Sequence, residues 1–134
     1  MASQDAADIT EIRNIIARIA IASDISDPGE FAELYAEDAT LQMRVVPDIP
    51  PDVGLEAILA GARKRRTDGI TGPGSGLVHA IQQSAVSVSG DEATAKTYVV
   101  LYGNALAKPE LNGVLIYNDA FVLAKPILYG TRHE

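Results

Sequence analysis

The chain has 134 residues, enough for one domain with a substantial core and too few for two ordinary ones. With 47% hydrophobic and 22% charged residues the composition is globular and excludes a disordered polymer. A net charge of -7 argues against general affinity for nucleic acid or anionic membrane, and the lack of cysteine excludes disulfides, thiol catalysis and cysteine-ligated zinc. The opening residues have neither the basic flank nor the apolar run of a signal peptide, and no segment reads as a bilayer span, so a cytoplasmic protein is expected.

Residues 1–7 are small and polar and are expected to fray. Asp8-Ile9-Thr10-Glu11 then reads as a capping box. Ile9, Ile12, Ile16 and Ile19 follow at helical spacing, and the helix runs to about Ser23 or Asp24. Asp24 faces the negative end of the helix dipole; it is either a solvated helix-end residue or a carboxylate kept for a partner. Asp27-Pro28-Gly29-Glu30 is a second capping box and opens a helix to about Ala36, with Phe31, Leu34 and Tyr35 on its core face. A buried Tyr35 needs a partner for its hydroxyl. Ala39 to Val46 alternates as a strand, and Pro47 to Asp52, which cannot be a central strand or a helix interior, is expected to be a surface loop, with the rim of a cavity as one place for it.

Leu55 to Thr67 is a third helix, carrying Ile58, Leu59 and Ala62 and ending in Arg63-Lys64-Arg65-Arg66. Cations in a last turn complement the dipole, which accounts for the run without nucleic acid. Gly72-Pro73-Gly74-Ser75-Gly76 precedes a strand and lacks Gly-Lys-Ser/Thr, so it is a flexible connection rather than a phosphate loop. Gly76 to Tyr102 reads as a long β-hairpin turning at Gly90-Asp91. With Ser89 opposite Glu92, an unbroken ladder brings His79 opposite Tyr102, both on one face. Lys108 to Gly113 makes a turn, and Val114 to Ala124 is a strand with Leu115, Tyr117, Asp119, Phe121 and Leu123 on one face. Lys125-Pro126 turns into a last strand, Ile127 to Arg132. Helices first and strands afterwards imply one α+β domain, residues 1–134, with about three N-terminal helices on a strongly curved, mostly antiparallel sheet.

Several phrases in this order resemble the SnoaL-like branch of the nuclear-transport-factor-2-like superfamily, the cone-shaped α+β fold of scytalone dehydratase, ketosteroid isomerase and polyketide cyclases. They are Ala20 to Asp24, Phe31 to Ala39, Gly54 to Ile58, His79, Ser89 to Ala93, and Tyr117-Asn118-Asp119. The resemblance covers roughly Ile9 to Ala124. In dehydratase and dehydrochlorinase members an Asp near the end of the first helix and a His on the long strand form a dyad, which maps onto Asp24 and His79. A carboxylate on one imidazole nitrogen fixes the tautomer and raises basicity at the other.

Two departures follow. Where water-eliminating members carry a tyrosine upstream of the Asp, this chain has Ile19; the family's Gly-Trp near the last strand is replaced by Pro126 to Gly130. The missing donor must come from elsewhere, and Tyr102, opposite His79 in the expected register, is the first candidate. Tyr35, Met43, Tyr98, Asn104 and Tyr117 are the further candidates to contact substrate. The expectation is a lyase or isomerase with no cofactor and no metal, acting on a small apolar or cyclic carbonyl-containing molecule. The rival from another class is a non-catalytic ligand-binding or dimerisation domain. The resemblance also implies a homodimer formed through the sheet.

Overall fold

The computed structural model describes residues 2–44, 48–124 and 127–133. Helix α1 (Ala2–Asp24) begins six residues ahead of the capping box expected to open it. Alanine-rich sequence with Asp5 in the first turn suits a helix there, and Gln4 Nε2 donates to Asp8 Oδ1 at 2.9 Å, an i,i+4 pair. Its buried face is Ile12, Ile15, Ile16, Ile19 and Ala22. Ile19 is therefore core.

The second helix is a 3-10 helix, Pro28–Glu33, and stops before the expected Ala36. Asp27 caps it by accepting from the Gly29 amide at 2.8 Å. Tyr35 and Ala36 instead open strand β1 (Tyr35–Gln42), because the backbone of Tyr35 pairs with β7 (Leu128–His133). Val45, Val46 and Pro47, the end of the expected strand and start of the expected loop, lie outside the described residues. Asp52–Val53 forms a short β2 on β1. Helix α2 (Leu55–Thr67) has the boundaries expected of it and buries Ile58 and Ala62.

The expected hairpin is cut in two on its first arm: β3 (Val78–Ile81) and β4 (Ala85–Ser89) both pair with β5 (Glu92–Gly103). The turn is as expected, with Ser89 opposite Glu92. Between the segments Gln82, Gln83 and Ser84 face only Thr97 and Tyr98, a bulge of one extra residue. The bulge is anchored inside the protein. Arg13 Nη2 donates to the Ser84 carbonyl at 3.0 Å, and the buried hydroxyls of Ser84 and Thr97 bond at 2.6 Å.

The next turn comes earlier than expected, after Gly103, with Asn104 supplying a left-handed φ of 50°. Glu110 already pairs with Gly103, so β6 runs Glu110–Val122, with Tyr117, Asp119 and Phe121 on the buried face as expected. Lys125-Pro126 lies outside the described residues. The sheet order is β2-β1-β7-β6-β5-β3, with β4 also on β5. All described pairings are antiparallel except β1 with β7. Helix α1 packs on β3 and β4 at one edge and α2 on β1 and β2 at the other. The fold is α+β, N-terminal helices on a mostly antiparallel sheet. The helices and inner sheet face enclose the core and a cavity.

Candidate functional site

Asp24 is the last residue of α1, where the final carbonyls lack intrahelical partners and the dipole is negative. A cation from α2 answers that arrangement. Arg66 Nη2 donates to the carbonyls of Ala22, Ser23 and Ser26 at 3.0, 3.1 and 2.7 Å. Gly72, at φ 94°, leaves room for this guanidinium, since a Cβ there would overlap it. The positive charge on the helix end makes a carboxylate tolerable at Asp24.

That carboxylate is engaged wholly with His79. Oδ2 accepts from the His79 backbone N–H at 2.9 Å, and Oδ1 lies 2.7 Å from Nδ1. Strand β3 ends the sheet path, so the amide of His79 would otherwise be an open edge donor. An ionised carboxylate offers only acceptors, so a neutral imidazole here would carry its proton on Nδ1 and keep the lone pair on Nε2. The Asp24 and His79 side chains are 10% and 16% exposed, so the pair is shielded from most solvent screening.

His79 forms part of the wall of a cavity of about 300 Å³. Its apolar lining includes Phe31, Leu41, Met43, Leu77, Leu101 and Leu115, and its polar lining Ser23, Tyr35, Arg65, Thr71 and Tyr117. Strands β1 and β3, from opposite ends of the sheet, both reach this space, as a sheet wrapped around it requires. Hollows of about 340 and 420 Å³ on β4, β5 and β6 have no histidine among the described residues that line them.

Of the residues expected at the site, Asp24 and His79 meet directly, and Tyr35, Met43 and Tyr117 line the cavity with His79. Tyr102, Tyr98 and Asn104 do not. The bulge shifts the ladder by one, so His79 is opposite Leu101, and Tyr102 is opposite Val78 on the other face. Tyr98 and Tyr102 are 62% and 36% exposed on the outer face, and Asn104 is exposed in the turn. Sequence reasoning missed Arg65 and Arg66, both hidden in a basic run explained by the dipole of their own helix. Arg66 serves the dipole of a different helix. Among the described residues no three His, Asp, Glu or Cys side chains cluster as metal ligands would.

Helices covering one face of an antiparallel sheet, around an apolar cavity walled by a carboxylate-backed imidazole, define the class of domain. The chain belongs to the SnoaL-like domain family, which residues 4–125 match. Among solved structures it is similar to a nuclear-transport-factor-2-like protein with a cystatin-like fold from Novosphingobium aromaticivorans (23% identity, TM-score 0.79, covering 98% of this chain and 83% of that one). It is also similar to a scytalone dehydratase candidate from the same organism (17%, 0.74, 99% and 86%). A third is a Catenulispora acidiphila protein in complex with S-DNPA (18%, 0.75, 95% and 91%). At these identities the likeness establishes the fold. No match was found among curated proteins.

Proposed function

We propose that the protein is a cofactor-free lyase or isomerase that removes a proton from carbon in a small apolar or cyclic carbonyl-containing molecule. The observation that carries this reading is the 2.7 Å contact between Asp24 Oδ1 and His79 Nδ1 at the wall of an apolar cavity. Asp24 holds the ring so that Nε2 is the basic atom, and His79 acts as the general base. The electrons left on carbon move toward the carbonyl oxygen or expel a leaving group. Tyr35 and Tyr117, the phenols that line the cavity, are the candidates to donate to that oxygen or leaving group. They replace Tyr102 in this role. The ligand-bound relative and the dehydratase candidate are consistent with such a site.

A second reading, assembly through the outer sheet face, rests on a separate observation. Tyr98, Tyr102, Leu111, Val114 and Ile116 are exposed together there, with Tyr98 opposite Ile116 and Tyr102 opposite Leu111. Such a patch suits a second copy of the chain, and a dimer formed this way leaves the cavity intact. No helix among the described residues is long and apolar enough to cross a membrane.

The test is imidazole nitrogen NMR on the full chain and on Asp24→Asn. The reading expects Nδ1–H in the native protein. In the variant, the introduced side-chain amide can turn its N–H toward Nδ1, which favours the Nε2–H tautomer, and the two nitrogen shifts exchange. Solvent-deuterium uptake at carbon, measured on a panel of cyclic ketones, should fall by roughly 10²- to 10⁴-fold in the variant. A native His79 in the Nε2–H form would remove the base and the mechanism with it.

A further inference from the structure

We infer that the cavity takes an organic anion, an apolar one- or two-ring molecule bearing a carboxylate, and that Arg65 is the residue that binds the carboxylate. The inference rests on the cavity reading above and adds the substrate class. Four successive cations, Arg63 to Arg66, end the same helix; Arg63 is exposed, and Lys64 and Arg66 have evident partners. Lys64 Nζ pairs with Asp68 at 2.6 Å, and Arg66 caps the end of α1. Arg65, between them, joins neither. Arg65 lines the His79 cavity and the small gap beside it formed with Ser23, Phe31 and Thr71, with its Nη1 lying beside Gly61. Among the described residues its guanidinium has no ion pair and no hydrogen bond. Asp52, whose carboxylate also lies beside Gly61, makes no ion pair with it.

The charge pattern of the wall points to the ligand. Among the described residues no Asp or Glu lines the cavity, although the protein as a whole carries a net charge of -7. Asp24 sits behind His79 with both oxygens engaged there and makes no ion pair with Arg65. A half-buried cation beside an apolar space, without an ion-paired protein carboxylate, is complemented by a ligand anion. The planar fork of arginine matches a carboxylate at two points, and Ser23 and Thr71 line the same space. A volume of about 300 Å³ lies at the small end of ligand sites and sets the size of the apolar part.

The experiment compares 2-naphthoate with its neutral isostere 2-naphthamide, titrated into the full chain and followed by calorimetry and by the His79 ring resonances. The expected result is roughly tenfold or tighter preference for the carboxylate, with His79 perturbed by both ligands. In Arg65→Gln the preference should collapse to about one with amide binding unchanged. In Arg65→Lys, which keeps the charge without the fork and guards against a glutamine variant that does not fold, it should survive in part. Equal affinity for the two ligands in the native protein, a preference that survives Arg65→Gln, or no perturbation of His79 by either ligand would each overturn the inference. Because the readout is binding, its failure leaves the tautomer test of the base standing, and the reverse holds too.

Discussion

Replacing Arg66 by alanine tests whether the end of α1, and with it Asp24, is held from α2. One nitrogen faces three carbonyls at 2.7 to 3.1 Å, but Nη2 carries only two hydrogens, so about two hydrogen bonds are made at any moment. Charge-assisted bonds of this kind contribute about 1.5 kcal/mol each at the low end, the relevant end for carbonyls that can turn to water once the arginine is gone. The helix dipole adds a few tenths of a kcal/mol. Against this, Arg66 Nε is buried without a partner among the described residues, which costs about 1 kcal/mol that the alanine variant recovers. The balance is a loss of about 2 to 3 kcal/mol. With a urea m-value of about 2 kcal/mol/M the unfolding midpoint should move down by about 1 to 1.5 M. Arg66→Lys, which keeps a cation and adds no orphaned Nε, should recover about half of the loss. A second signal separates this role from ordinary packing: freeing the helix end should broaden the His79 ring resonances, because Asp24 no longer has one position. A midpoint within about 0.3 M of the native value, with a sharp His79 spectrum, would refute the reasoning.

Removing the Ser84 hydroxyl strands the buried Thr97 hydroxyl, so Ser84→Ala should destabilise by about 1 to 3 kcal/mol in denaturant unfolding. Adding Thr97→Val should restore part of that loss, and a double variant worse than the single would contradict the pairing. If the outer face is an interface, as the second reading proposes, Ile116→Asp, which places a charge in its exposed patch, should lower the sedimentation coefficient at micromolar concentration from that of a dimer to that of a monomer, with circular dichroism unchanged. An unchanged sedimentation coefficient would dismiss the patch as an interface.

Local signals in this chain are legible where one stretch decides its own conformation. Helix α2 has the expected ends because a glycine precedes it and apolar spacing runs through it, and Gly90-Asp91 turns the hairpin as such a pair does. The 3-10 helix falls short of its expected end because Tyr35 is claimed by a strand more than ninety residues away, a competition no local pattern displays. The meeting of Asp24 with His79 spans 55 residues of sequence, so only resemblance to a family could anticipate it. Arg66 escapes for the same reason: its partners are at the end of another helix.

The register error is of a different kind, because its signal is present in the sequence. His79 and Ile81 are at odd positions, whereas Val86 and Val88, also packed toward the core, are at even ones. A single unbroken strand cannot turn both sets inward, since its faces alternate at every residue. The change of phase requires one extra residue between Ile81 and Val86, and the bulge at Gln82 to Ser84 supplies it. Without it, pairing continued from Ser89 and Glu92 would set His79 opposite Tyr102, on the outer face and away from Asp24. The orientation of the imidazole is thus decided by a backbone irregularity fastened by Arg13, Ser84 and Thr97, none of which lines the cavity. A change at these three residues that let the ladder slip by one would remove the base from the site while every residue of the Asp24 and His79 pair stayed in the chain.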